Sequence, residues 1–181
     1  CNHRTWHEIG GGQGDRAEKW NPRTRESADH SLAYTAAVAL VDGQITADSF
    51  AEQRLGDPVL RSMMDKIDVV ERPELTDYWK KTVGGSRSTV CIRLKGGRMI
   101  EETVTNYRGH FANPMDDGEV QFKFDSMVGK VASKDDAKRL SDLLWSVARE
   151  KTLDNLTALL RARSEEHTSE LQSRLHLVCR L

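Results

Sequence analysis

Residues 88–105 of the chain read STVCIRLKGGRMIEETVT, and this stretch decides the fold class. Apolar and polar side chains alternate along residues 88–94, as they do in a strand that has one face packed and one face exposed. Residues 95–98, Lys-Gly-Gly-Arg, have the composition of a tight turn, and residues 99–105 return to an extended pattern. The stretch therefore predicts a β-hairpin.

Helical patterns precede the hairpin. The first predicted helix runs from about Ala28 to Val41, with Ser27 as its N-cap and Asp42-Gly43 as its stop. Two shorter helices are predicted to start at Thr46 and at Asp57-Pro58. Residues 67–71 have the composition of a further strand, which Pro73 would close.

Three helical segments follow the hairpin, starting near Asp117, Ser133 and Thr152. The order of helices, hairpin and helices predicts an α+β fold. We expect helices packed on one face of a small, largely antiparallel sheet, which is a two-layer sandwich.

The bulk composition is that of a globular domain. The chain has 181 residues, of which 38% are hydrophobic and 30% charged, and its formal net charge is −1. These values favour neither nucleic acid nor an anionic membrane as a partner. The longest apolar run, Tyr34 to Val41, is too short to span a bilayer.

The three cysteines, Cys1, Cys91 and Cys179, have no spacing typical of a zinc or iron–sulfur site, and their odd number argues against a disulfide framework. We therefore predict no metal, no cofactor and a cytoplasmic location. The chain starts at Cys1 rather than at a methionine, so we expect a fragment of a longer protein.

The C-terminal residues 163–181 are predicted to be foreign to the fold. The run Arg163 to Ser173 is what a common sequencing-library adapter gives when it is translated, and residues 177–181 fit the adapter's continuation after a short index. The alternative is a short amphipathic C-terminal helix. We assign residues 1–162 to the domain and exclude the tail from the fold and the site.

A resemblance to a known family starts at residue 18. Residues 18–34 read EKWNPRTRESADHSLAY and resemble the segment K-W-x-P-x-T-R-E-x-A-D-H-S-L-P-Y of the MmgE/PrpD family, which opens the C-terminal domain of those proteins. Residues 109–115, GHFANPM, are similar to the family's G-H-P-x-N-P-M loop. Ala33 and Phe111 stand where the family pattern has proline.

The resemblance implies a two-domain lyase whose helical N-terminal domain is absent from this chain. It implies a metal-independent hydro-lyase acting on small polycarboxylates, with 2-methylcitrate dehydration in propionate catabolism as the first expectation. A cis-aconitate decarboxylase or dicarboxylate epimerase of the same family is the alternative, and a non-catalytic small-molecule-binding or interaction module is another. A homodimer is expected for the full-length enzyme.

Five residues are candidates for binding the carboxylates of such a substrate: Arg23, Arg25, His30, Tyr34 and His110. The two arginines could instead pair with Glu26 or Asp29. His30 is placed in the first turn of the predicted helix, where a neutral imidazole is favoured, and it could serve only to cap that helix. His110 could belong to a loop-stabilising network. The resemblance implies that the catalytic acid/base residues lie in the absent part, so none is assigned here.

Overall fold

The computed structural model describes residues 1–161, which belong to two compact units. The first unit is Cys1–Pro114 and the second begins at Met115. The segment predicted to derive from an adapter, residues 163–181, lies outside the described residues.

The first unit is mostly helical. Its elements in chain order are α1 (His3–Ile9), α2 (Arg16–Lys19), α3 (Arg25–Asp29), α4 (Leu32–Asp42), a 3₁₀ helix (Ala47–Phe50), α5 (Glu52–Leu55), α6 (Pro58–Met64), α7 (Pro73–Lys81), β1 (Ser88–Arg93) and β2 (Met99–Val104). The second unit contains α8 (Asp117–Val128), α9 (Lys134–Ser146), a 3₁₀ helix (Val147–Arg149) and helical residues 154–161.

The β-hairpin is confirmed. Strands β1 and β2 pair antiparallel, with Ile92 opposite Ile100 in the register. The turn is closed by the Leu94 N–H, which donates to the Arg98 carbonyl at 2.9 Å, and Gly97 takes a left-handed conformation with φ of 80°. The helices with this antiparallel pair confirm the α+β fold class. Among the described residues every side chain of β2 is exposed.

The predicted helix from Ala28 to Val41 is wrong as a single element, because the chain breaks between α3 and α4. Ser31 starts α4: its Oγ accepts a hydrogen bond from the Tyr34 N–H at 3.1 Å. The same hydroxyl donates to the Lys19 carbonyl, so Ser31 also ties the break to the end of α2. Thr24, not Ser27, is the N-cap of α3. Serine, like threonine, asparagine and aspartate, hydrogen-bonds to nearby backbone groups in this way and is therefore favoured at helix starts.

The predicted strand at residues 67–71 is also wrong. The backbone at the end of this segment is hydrogen-bonded to the first residue of the chain. The Cys1 amino group donates to the Val70 carbonyl, and the Arg72 N–H donates to the Cys1 carbonyl, both at 2.9 Å. Pro73 does not close a strand but occupies the first turn of α7, where the missing N–H costs no hydrogen bond. Helix α7 is not among the helices predicted from the sequence.

The hydrophobic core of the first unit lies among helices. Its buried side chains come from α3, α4, α5 and α6: Ala28, Ala33, Tyr34, Ala37, Val38, Leu55, Leu60 and Met64. The alanines on α4 permit a close approach to α6, where Leu60 is completely buried. Burial of a leucine side chain stabilises a fold by about 2 kcal/mol.

The second unit is held by the facing sides of α8 and α9. Asp116 forms a capping box with Glu119 at the start of α8. Ser133 starts α9 as predicted, and its hydroxyl oxygen accepts from the Asp136 N–H at 3.1 Å. Between the helices, Gln121 Oε1 accepts from Ser141 Oγ at 2.9 Å.

Residues 20–34 expose no large apolar patch, because Ala28, Ala33 and Tyr34 lie in the core and Trp20 packs against it. Large exposed apolar side chains lie elsewhere, including Phe111 and Phe122, which are 77% and 71% exposed. No helix among residues 1–161 is long and apolar enough to cross a membrane.

Candidate functional site

The segment that carries most of the candidate residues is fixed to α6. The indole N–H of Trp20 donates to the Met64 carbonyl at 3.0 Å and to the Ile67 carbonyl at 3.2 Å. Arg61 donates from Nη1 to the Trp20 carbonyl and from Nη2 to the Pro22 carbonyl, at 3.2 and 2.8 Å. These contacts hold the backbone in place immediately before the candidate arginines.

No sequence motif predicts that Arg61 anchors the backbone of residues 20–22. It is one arginine on a short helix, and its partners are backbone carbonyls about 40 residues away in the chain. Its Nε also donates to the Leu55 carbonyl at 2.8 Å. A guanidinium with three carbonyl partners serves structure here and has little capacity left for a substrate.

Arg23 and Arg25 are both exposed. Neither guanidinium forms an ion pair within residues 1–161, so the alternative of pairing with Glu26 or Asp29 is not observed. The two cations lie two residues apart at the start of α3, on a backbone that the contacts of Trp20 and Arg61 anchor. Uncompensated arginines on a fixed backbone are suited to binding carboxylates.

His30 lies at the C-cap of α3, not in the first turn of a helix as predicted. Its Nδ1–H donates to the Glu26 carbonyl at 3.0 Å and contacts Asp29 Oδ1. The hydrogen bond with Asp29 raises the pKa of His30, and the carbonyl of Glu26 adds to this effect. The predicted preference for a neutral imidazole is therefore corrected, because the position favours the charged form.

The imidazole of His30 has one nitrogen left for another molecule. Its side chain is 69% exposed, and Nε2 makes no hydrogen bond among the described residues. Nδ1 makes the helix-capping contacts that were the alternative to a site role. Nδ1 thus caps α3, while Nε2 has no partner among the described residues. A capping role and a substrate-binding role are therefore compatible for His30.

Tyr34 is completely buried in the core. Its hydroxyl donates to the Ser49 carbonyl at 2.7 Å, and burial raises the pKa of the phenol. Its ring lies 5.9 Å from that of Phe50. The structure therefore gives Tyr34 an anchoring role for α4 in place of the predicted contact with substrate.

His110 belongs to a closed loop and is 6% exposed. Its Nδ1 accepts from the Ala112 N–H at 3.1 Å, and the rings of Tyr107 and Phe111 flank it at centroid distances of 5.4 and 4.1 Å. Its Nε2 is buried without a hydrogen-bond partner in the described structure. These contacts correspond to the loop-stabilising alternative.

Asn113 completes this loop. Its Nδ2 donates to the Asn106 carbonyl and its Oδ1 accepts from Arg108 Nη1, both at 3.0 Å. The Gly109 N–H donates to the Asn113 carbonyl at 2.9 Å. The histidine and asparagine of the GHFANPM stretch thus hold the loop together from inside.

The two stretches that carry the resemblance, residues 18–34 and 109–115, therefore have different structural roles. The first exposes charged groups and the second closes a loop. The family model of the MmgE/PrpD C-terminal domain matches residues 2–149. The chain belongs to the MmgE/PrpD family. The match covers both units as far as the end of the 3₁₀ helix Val147–Arg149.

Curated relatives within the family carry two activities in their names. The chain is 26% identical over 153 residues to the cis-aconitate decarboxylase of Mus musculus, covering 84% of the chain and 30% of that protein. It is 24% identical over 143 residues to the human cis-aconitate decarboxylase, covering 79% of the chain and 29% of that protein. It is 30% identical over 88 residues to the 2-methylcitrate dehydratase of Cupriavidus necator, covering 48% of the chain and 18% of that protein.

The chain thus spans less than a third of the length of the curated relatives it matches. The candidate residues that remain exposed in the structure are Arg23, Arg25 and His30, which we call the α3 cationic group. Among residues 1–161 no group of three or more histidine, cysteine, aspartate or glutamate side chains is arranged to hold a metal ion.

Proposed function

We propose that this chain is the C-terminal part of a metal-independent lyase that acts on small polycarboxylates, with dehydration of 2-methylcitrate as its reaction. The observation that carries the proposal is the α3 cationic group: two arginines without an ion-pair partner in the described residues, and a histidine with one free nitrogen. A tricarboxylate needs several cationic or hydrogen-bonding groups around it, and these residues supply such groups on one short segment.

The rest of the active site belongs, in this proposal, to a helical domain encoded upstream. The chain covers 29–30% of the cis-aconitate decarboxylases to which it is similar, so most of a protein of that size is not present here. Acid/base catalysis needs a proton donor or acceptor within hydrogen-bond reach of the reacting carbon, and misplacement by about 1 Å can cost on the order of a hundredfold. The α3 cationic group would be one wall of the cleft. A homodimer and a cytoplasmic location belong to the same proposal.

A second candidate reaction is decarboxylation of cis-aconitate. The coverage of the chain favours it, because the matches to cis-aconitate decarboxylases extend over 79–84% of the chain, against 48% for the 2-methylcitrate dehydratase of Cupriavidus necator. Both substrates are small polycarboxylates, so the α3 cationic group would serve either reaction. A third activity, epimerisation of a dicarboxylate, has no observation in its favour here.

The test uses the full-length gene from which the chain derives, expressed with its upstream region. Purified enzyme is assayed with 2-methylcitrate and with cis-aconitate, with and without a chelator. We expect turnover of one of them that the chelator leaves unchanged. Arg23→Ala and His30→Ala should each lower kcat/KM by at least tenfold, while the midpoint of thermal unfolding changes by only a few degrees.

The matched control is Arg98→Ala, which removes an exposed cation from the hairpin turn. This variant should retain wild-type turnover. If His30→Ala and Arg23→Ala lose stability and turnover in parallel, the residues serve only the fold. Turnover by the 181-residue chain alone would refute the two-domain proposal.

A further inference from the structure

Helix α1 places two histidines on one face. His3 and His7 are four residues apart, and their ring centroids are separated by 5.5 Å. Two imidazole nitrogens that bind one Zn²⁺ at about 2.0–2.1 Å, with a near-tetrahedral angle between them, put the ring centroids roughly 5 to 5.5 Å apart. The observed separation of 5.5 Å therefore allows the two imidazoles to share one ion.

His3 is oriented by a carboxylate. Its Nδ1–H donates to Glu71 Oε2 at 3.0 Å, which leaves Nε2 with a lone pair for another ligand. Metal-binding histidines almost always donate their second ring N–H to a carboxylate, a backbone carbonyl or water, which fixes the tautomer and makes the ligand more basic.

The carboxylate is itself held in place. The hydroxyl of Thr76 donates to Glu71 Oε1 at 3.1 Å, and its oxygen, Thr76 Oγ1, accepts from the His3 backbone N–H at 2.8 Å. The start of α1 is fixed further by Asn2, whose side chain accepts from the Thr5 N–H at 2.9 Å. His3 thus has a defined position before any ligand binds. His7 is exposed and makes no hydrogen bond among the described residues, so its ring is available.

We propose that His3 and His7 form a surface site for a divalent transition-metal ion, with Glu71 as the carboxylate that orients His3. Imidazole ligands suit Zn²⁺, Cu²⁺ and Ni²⁺ rather than Mg²⁺ or Ca²⁺. The chain supplies two ligands, and water completes the coordination. This site is independent of the proposed lyase reaction, which needs no metal.

The test is titration calorimetry of the 181-residue chain with Zn²⁺, with circular dichroism as the check on folding. The double variant His3→Ala/His7→Ala measures the background from other histidines and the cysteines. His7→Ala should weaken the site-specific binding by at least tenfold without loss of helix, because His7 has no hydrogen bond to lose in the described structure. Glu71→Gln keeps both ligands and should weaken binding about tenfold or more.

The control on the same helix is Arg4→Ala, which removes the 3.0 Å ion pair with Glu8 but no imidazole. Its Zn²⁺ affinity should equal that of the wild type. Zn²⁺ binding that is equal in the wild type and the double variant would overturn the proposal, as would binding that His7→Ala leaves unchanged.

Discussion

The contact between His30 and Asp29 shows how one residue changes the chemistry of a segment. Because Ser31 starts a new helix, His30 falls at the C-terminal end of α3 rather than inside a longer helix. At that position the carbonyl of Glu26 and the carboxylate of Asp29 both favour an imidazolium. The charge of the α3 cationic group near neutral pH therefore depends on where the helix breaks.

We predict that His30 titrates above its ordinary value of 6.5. A group with a raised pKa in the folded state stabilises the fold fully below its unfolded pKa, and that stabilisation is lost as the pH rises through the folded pKa. NMR titration of the imidazole resonances measures the shift directly. Asp29→Asn should bring the pKa of His30 back towards 6.5, whereas Glu18→Gln, an exposed carboxylate on α2, should leave it unchanged. A His30 pKa at or below 6.5 in the wild type would contradict the prediction.

At the scale of elements, the sequence predicts what is local and misses what depends on distant partners. The hairpin follows from alternation and a glycine turn within 18 residues, and it forms as predicted. Residues 67–71 have the right composition for a strand, but their backbone partner is Cys1, so no sheet forms there. The same limit applies to the site. The exposure of Arg23 can be predicted from its residue type, whereas the burial of Tyr34 depends on how α4 packs against α6.

Gly84 lies between α7 and β1, close to the loop that holds His110. It has a φ of +70°, and a Cβ added to it would lie 2.9 Å from Nε2 of the buried His110. Gly97 in the hairpin turn has a φ of +80° but no atom within 4 Å of the same position. The two glycines thus differ in crowding while sharing the left-handed conformation, which makes Gly97 a matched control.

We predict that Gly97→Ala lowers the free energy of unfolding by about 1 kcal/mol, the cost of a side chain in the left-handed region. Gly84→Ala should cost roughly 1 to 3 kcal/mol more, because the ring of His110 must move within a packed loop. Urea denaturation measures both values. In the double-mutant cycle, His110→Ala should remove the excess cost of Gly84→Ala. Equal losses for the two alanine variants would show that Gly84 and His110 are not in contact.

At the scale of the whole molecule, apolar side chains remain exposed after each unit has formed its own core. In the second unit the exposed faces of α8 and α9 include Phe122, Leu144 and Trp145, at 71%, 41% and 51% exposure. Exposed apolar side chains in such number are typical of a surface that another domain covers. This surface and the partial coverage of the relatives are the observations behind the proposed upstream domain.

The last prediction follows from that surface. Without its upstream region, the 181-residue chain should associate with itself and bind the dye anilinonaphthalene sulfonate, which reports exposed apolar surface. The full-length protein should bind much less dye per chain, because the helical domain would cover α8 and α9. Phe122→Gln should reduce both dye binding and self-association of the short chain, whereas Glu102→Gln, a polar exchange on exposed β2, should change neither. Analytical ultracentrifugation at several concentrations gives the association. A short chain that is monomeric and binds no dye would mean that these apolar side chains need no partner, and the proposal of a covering domain would fail.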